Sequence, residues 1–220
     1  MKTVAYIPIK TNNERLPNKN TLRFCDGTPL IHFIQRTLLQ IDEIDEIYMF
    51  CSDDNIREYC LDGVDFIMRP KYLDTSSATP QDIMREFIST VESDIYLTAH
   101  ATSPFVSVAH IDECVKMVKY AEFDSAFTAK RLNKLLWNHS AQPVNFNPAQ
   151  IPRTQDLPSI YAEVSAAYVF EKEIFTKYNR RIGINPKIIE VGDIEALDID
   201  YPEDFKVANA IYKEILLSKN

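Results

Sequence analysis

Short apolar runs alternate along this chain with windows in which apolar residues recur every three or four positions. "TVAYIPI", "EIYMFCS", "VDFIMRP" and "DIYLTAHA" read as strands, while "PLIHFIQRTLLQI", "DNIREYCL", "QDIMREFISTV" and "HIDECVKMVKY" read as amphipathic helices between and after them. Strands alternating with helices of this length form βαβ units. The first half of the chain therefore predicts an α/β, Rossmann-like, doubly wound and mostly parallel sheet. Helix starts carry capping chemistry: Asp53 and Asp54 precede "NIREYC", and Thr79-Pro80 precedes "QDIMREFI".

After Ala121 the rhythm changes. "SAFTAKRL" and "LLWNHSAQPVNF" look extended, and the proline-bearing "NPAQIPRTQDLPSI" is incompatible with regular helix and is a candidate substrate loop. A strand "EVSAAYVF", a helix "KEIFTKY", a strand "PKIIEV" and a final helix "YPEDFKVANAIYKEILL" close the chain. In that helix Phe205, Ala208, Ile211, Tyr212 and Ile215 share one face, the expected core face. With 220 residues and 45% hydrophobic content the expectation is a single domain over residues 1–220.

Charge narrows the function. Lys+Arg 24 against Asp+Glu 32 gives a net charge of −8, which excludes a broad nucleic-acid or anionic-membrane face, so any anion site must be local. "MKTVAYIPIK" has neither the length nor the cleavage site of a signal peptide, and no run approaches transmembrane length. Cys25, Cys51, Cys60 and Cys114 show no two-residue spacing of the zinc or redox kind; they read as buried, reduced thiols, and the expected compartment is cytoplasmic.

Three stretches carry candidate chemistry. The first is the glycine-free loop after the first strand, at the edge where doubly wound sheets bind ligands. Across residues 10–23, Lys10, Arg15, Lys19 and Arg23 face only Glu14, a local charge of +3 suited to a polyphosphate held by side chains rather than by a glycine-rich backbone. The second is "LTAHATSPF", where His100, Thr102 and Ser103 end a strand; these are candidate sugar or base ligands and equally ordinary capping residues. The third is "EALDIDYPEDF". Asp198 and Asp200 alternate along an extended segment, so both point to one face, roughly 6 to 7 Å apart at their origins. Two such carboxylates suit a magnesium ion that also binds substrate phosphates. The competing role for Asp200 is to cap the helix that follows. Together, a phosphate-seeking loop and a carboxylate pair point to a metal-dependent nucleotidyltransferase.

Six segments, in order, resemble the acylneuraminate cytidylyltransferases, which activate sialic and related nonulosonic acids with CTP. "IPIKTNNERLPNKN" is similar to IPARxxSKxxPxKN, "FCSDDNIREYC" to STDDxxIAExA, and "RPKYLDTSSAT" to RPxxLAxDxAS. "HATSPF" is similar to QPTSPL, "PRTQDLPSIYAEVSAAYVF" to RRQDLPxxYxENGAIYx, and "DIDYPEDF" to DIDTPEDF. The resemblance implies transfer of CMP from CTP to the anomeric hydroxyl of an acidic sugar, with release of pyrophosphate. It implies that Lys10, Arg15 and the catalytic Lys19 neutralise the triphosphate, that Asn12, Asn13, Asn20 and His100 help hold the nucleotide, and that Asp198 and Asp200 hold catalytic Mg²⁺. Thr102, Ser103, Arg153, Gln155 and Tyr161 would lie near the sugar acid, Arg153 as carboxylate partner. A small extension around residues 130–160 would make a homodimer contact. Three positions depart from the family pattern: Lys10 replaces arginine, His100 replaces glutamine, and Glu163-Val164-Ser165 replaces Glu-Asn-Gly. Ketodeoxyoctonate or a phosphonate as acceptor, and a nucleotide-sugar binding protein without catalysis, are the alternatives.

Overall fold

The computed structural model describes residues 1–217. Strands β1 (Thr3–Ile9), β2 (Glu46–Cys51), β3 (Asp65–Met68), β4 (Ile95–Ala99), β5 (Ser125–Arg131), β6 (Tyr161–Glu171) and β7 (Pro186–Glu190) form one sheet in the order 3-2-1-4-6-5-7. Only β6 runs antiparallel to its neighbours, β4 and β5; the remaining pairs are parallel. The helices are α1 (Leu30–Leu38), α2 (Pro80–Thr90), α3 (Val108–Tyr120), α4 (Lys172–Tyr178) and α5 (Pro202–Ile211). This is the mostly parallel doubly wound sheet that the apolar pattern predicts.

Both faces of the sheet are covered, which is why "TVAYIPI" reads as a nearly unbroken apolar run. Ala5, Ile7 and Ile9 point to one face, where they join Ile31, Ile34 and Leu38 of α1 and Ile111, Val115 and Val118 of α3. Val4 and Tyr6 point to the other, against Met84, Phe87 and Ile88 of α2 and Phe175 of α4. Tyr6 stacks on Phe87 with ring centroids 4.2 Å apart. Each such fully buried large side chain stabilises the fold by roughly 1.5 to 3 kcal/mol.

The chain winds outward from β1 to β2 and β3, then returns to place β4 on the other side of β1. That reversal opens a crevice beyond the carboxyl ends of β1 and β4, where α/β sheets bind ligands. A third apolar cluster, Leu16, Phe24, Leu30, Ile199 and Ala208, pins the loop after β1 to the segment before α5. Residues 10–20 and 198–200 are thereby held together.

Four expectations change. "DNIREYCL" forms a 3-10 segment, Asp54–Tyr59, begun when the Asp53 carboxylate accepts the Asn55 N–H. Only Ile56 of it is buried, too little apolar face to sustain an α-helix. "LLWNHSAQPVNF" makes no strand, only the isolated bridge of Trp137 with Pro143. There the Asn145 and Asn138 side chains capture the N–H groups of Leu136, Ser140 and Gln142 that a ladder would need. The final helix gives way at Tyr212 to a π-helical turn, and Ile215 is exposed rather than core. Cys51 and Cys114 are buried as expected, but Cys25 is exposed in a turn.

Candidate active site

The loop after β1 closes on itself through its amides. The Asn13 and Asn20 side chains both donate to the Lys10 carbonyl, at 2.7 and 3.0 Å, and Asn12 donates to the Asp74 carbonyl at 3.2 Å. Asn18 adopts the left-handed region with φ 54°, a conformation asparagine tolerates better than most residues, and turns the chain into the 3-10 segment Lys19–Thr21. Leu16 is the anchor: it is buried against Phe24 and Ile199. These contacts leave Lys19 and Asn20 buried as well.

The cations of the loop converge on one carboxylate. Arg15 grips Asp200 with both terminal nitrogens, at 2.9 and 3.0 Å, and Lys19 Nζ reaches the same group at 3.0 Å. The Lys19 side chain is only 9% exposed, against 55% for Arg15, so Lys19 is held by the fold and Arg15 reaches in from solvent. Asp200 is not the helix cap. Asp204 does that work, accepting the N–H groups of Asp200 and Tyr201 at 3.0 and 2.7 Å. The competing structural role for Asp200 thus falls to another residue, and its carboxylate faces the loop.

Asp198 lies behind Asp200. Ile199 between them is fully buried and its N–H donates to the Thr102 carbonyl at 2.9 Å, so the alternating aspartates share the opposite side. Asp198 Oδ1 is buried with no hydrogen-bond partner. Burial pushes its carboxyl above the usual range, opposed by the nearby Thr102 hydroxyl. Upstream, the Glu195 carboxylate meets the Ser107 N–H at 2.9 Å and His110 Nδ1 at 2.7 Å, clipping this segment to the start of α3. Among the described residues no cluster of three or more His, Cys, Asp or Glu could hold a metal. A carboxylate pair with one orphaned oxygen nonetheless fits Mg²⁺, which binds through one or two carboxylates and takes its other ligands from phosphates and water.

A cleft of about 320 Å³ is lined by Lys10, Asn12, Asn13, Arg15, Lys19 and Asp200, all singled out in the sequence, together with Glu14, Leu16 and Ser76. At the end of β4, the His100 N–H donates to the Ala166 carbonyl at 3.1 Å, while its Nε2 is buried and unpaired. Burial, reinforced by the positive charges of Arg181 and Lys19, pushes this imidazole down to about 4, so it is neutral at physiological pH. Ser103 is fully buried. Arg153, Gln155 and Tyr161 lie apart from the cleft lining. Arg153 is 73% exposed and forked onto Asp156, Gln155 sits in the same exposed 3-10 turn, and the Tyr161 hydroxyl donates to Glu190 at 3.1 Å.

Sequence reasoning passed over two arginines. Arg69, 1% exposed, pairs with Asp74 at 2.6 Å, and Asp74 also accepts from Ser52. This network ties the ends of β2 and β3 to Asn12. The signal was the cation in "RPKYLD", five residues before an aspartate. Arg181 stands in no recognisable segment, and only folding brings it to His100.

The family model described as cytidylyltransferase matches residues 4–219. The N-acylneuraminate cytidylyltransferase of Streptococcus agalactiae is 26% identical over 215 residues, covering 93% of this chain and 52% of the relative. The N-acylneuraminate cytidylyltransferase A of Danio rerio is 26% identical over 213 residues, covering 93% of this chain and 49% of the relative. The chain thus spans about half the length of these relatives. Among solved structures, CMP:2-keto-3-deoxy-manno-octonic acid synthetase complexed with CTP superimposes with a TM-score of 0.72 at 19% identity, covering 98% of this chain and 100% of that one. Sheet order, crevice and family model agree: the chain belongs to the cytidylyltransferase family.

Proposed function

We propose that this chain transfers CMP from CTP to the anomeric hydroxyl of a nonulosonic, sialic acid-like sugar acid, with Mg²⁺ as cofactor. The observation that carries this reading is the convergence of Arg15 and Lys19 on Asp200, beside the orphaned oxygen of Asp198. Cations matched to phosphate line one cleft with Asp200, and Asp198 stands buried two residues before it on the same extended segment.

Lys10, Arg15 and Lys19 offset the charge of the triphosphate, and the asparagine-braced loop fixes their positions before substrate arrives. Asp198 and Asp200 would hold the metal, which supplies charge neutralisation at the reacting phosphates. The acceptor hydroxyl oxygen bonds to the α-phosphorus, the bond to the β-phosphate oxygen breaks, and pyrophosphate leaves with the electron pair. The hydroxyl proton passes to one of the carboxylates. Lys10 carries the charge of the family's arginine without its bidentate fork, which weakens geometry more than electrostatics. Among the described residues no helix is long and apolar enough to cross a membrane, and the reading places the enzyme in the cytoplasm.

Residues 130–160 are the proposed homodimer contact, supported by Trp137, Val144 and Ile151, which are 54%, 57% and 65% exposed. A pyrophosphate-release assay with CTP, Mg²⁺ and a panel of acceptors tests the function. Turnover is expected with a nonulosonic acid. Turnover with ketodeoxyoctonate or a phosphonate alone would move the acceptor assignment, and CTP binding with no turnover on any acceptor would make the chain a binding protein.

A further inference from the structure

Beyond the ends of β1 and β4, on the α2 side of the sheet, lies a small cavity of about 80 Å³. Its walls are almost wholly apolar, with Pro8, Pro80, Ile83 and Met84 on one side and Tyr6, Thr98, His100 and Arg181 closing the rest. A water molecule occupies about 30 Å³ in the liquid, so the space suits one compact substituent of a ligand.

Arg181 is the unusual group there. Its side chain is 24% exposed, and its guanidinium carbon sits 3.3 Å from the centroid of the Tyr168 ring. Among the described residues it donates no hydrogen bond. Its one ion pair is long, Nη2 to the half-exposed Glu163 carboxylate at 3.7 Å, and that carboxylate also accepts the Tyr168 hydroxyl at 2.9 Å. Stacking occupies the face of the guanidinium and leaves the in-plane N–H fork for an oxyanion. The other arginines considered for this region are committed: Arg15 to Asp200, Arg69 to Asp74, and Arg153 to Asp156 through two bonds. Beside Arg181, the unpaired Nε2 of His100 offers a second polar contact.

We infer that Arg181, stacked on Tyr168 beside His100, binds the carboxylate of the acceptor and sets the preference for sugar acids over neutral sugars. The inference rests on the transfer reading above for its acceptor and assigns the carboxylate contact to Arg181 in place of Arg153. A guanidinium half-desolvated against an aromatic ring and apolar walls gains more from a carboxylate than one in open solvent, because the local dielectric is lower.

The test titrates the full chain and its Arg181→Gln and Arg181→Lys variants with N-acetylneuraminate and 3-deoxy-manno-octulosonate, and with the methyl ester of each. A non-hydrolysable CTP analogue and Mg²⁺ are present throughout. The wild type should prefer an acid to its ester. Arg181→Gln should weaken binding of that acid by about 10- to 100-fold, the loss of a charged hydrogen bond, and Arg181→Lys should lose less. Ester affinity should stay within a few fold in all three proteins. Unchanged affinity for the CTP analogue shows that the variants fold and that the guanidinium does not serve the triphosphate. The inference is overturned if the wild type binds neither acid, if acid and ester bind it equally, if Arg181→Gln keeps wild-type affinity for the acid, or if only CTP-analogue binding falls. The two readings fail differently. Arg181-dependent acid binding without pyrophosphate release from CTP would sink transfer alone, whereas turnover with an unchanged acceptor KM in Arg181→Gln would sink the Arg181 assignment alone.

Discussion

The loop at residues 10–23 and the extension at residues 132–160 are both irregular, free of glycine and richer in cations than in acids, yet they are built in opposite ways. The loop makes its decisive contacts at long range: Leu16 with Ile199, and Arg15 and Lys19 with Asp200. The extension makes local ones: Arg153 with Asp156, Leu136 with Asn145, and Trp137 edge-on to Phe146 at 5.2 Å. Positive charge in a loop is therefore a poor guide to function until its partners are known. A cation held by a residue 181 positions away is placed by the fold, whereas one paired three residues along is placed by its own turn.

Six substitutions in four comparisons probe that contrast, the largest effect first. Asp200→Ala removes the partner of both loop cations and half of the carboxylate pair, so kcat should fall by at least about 10²- to 10³-fold. Circular dichroism should show the sheet intact, and activity within a few fold of wild type would sink the metal assignment. Leu16→Ala takes a buried anchor from the loop and should cost about 2 to 4 kcal/mol in urea unfolding. Ile151→Ala in the extension, at 65% exposure, should stay within about 0.5 kcal/mol for the monomer. Equal losses at the two positions would erase the distinction between an anchored loop and a locally built one.

The third comparison sets Lys19→Ala beside Arg153→Ala. Lys19→Ala should weaken CTP binding by about 1.5 to 3 kcal/mol, read by calorimetry, while Arg153→Ala should leave CTP affinity unchanged because its side chain sits outside the cleft. An unaltered CTP titration for Lys19→Ala would return that lysine to a structural role. The smallest effect belongs to Ala141, which holds φ 56° in the turn at the tip of the extension. Ala141→Gly relieves the Cβ contact of the left-handed region and should raise stability by about 0.5 to 1 kcal/mol, since part of the gain is offset by glycine's chain entropy. A loss in thermal unfolding would show that neighbouring contacts rather than backbone sterics set that turn.

Much of the site was legible before folding. "DIDYPEDF" placed two aspartates on one side because Ile199 must face the core, and "IPIKTNNERLPNKN" placed its cations at a strand end. The helix start at Thr79-Pro80 was likewise readable, and the structure completes it as a capping box with Asp82. Less legible were the residues whose role depends on a distant partner. The asparagines of the loop look like ligand donors in sequence, but Asn13 and Asn20 spend an amide on the Lys10 carbonyl. Arg153 lies in one of the segments that resemble the family pattern, yet its fork is closed on Asp156.

By itself, then, the sequence determined the alternating strand and helix order, the basic loop and the aspartate pair, because these depend on periodicity and on residues close together in the chain. Only the tertiary structure decided that Asp204 rather than Asp200 caps the last helix, that Asp198 keeps an unpaired buried oxygen, and that Arg181 stacks on Tyr168 beside His100. Those outcomes turn on which polar groups find partners once water is excluded. Pairing of that kind is a property of the packed chain, not of any segment of it.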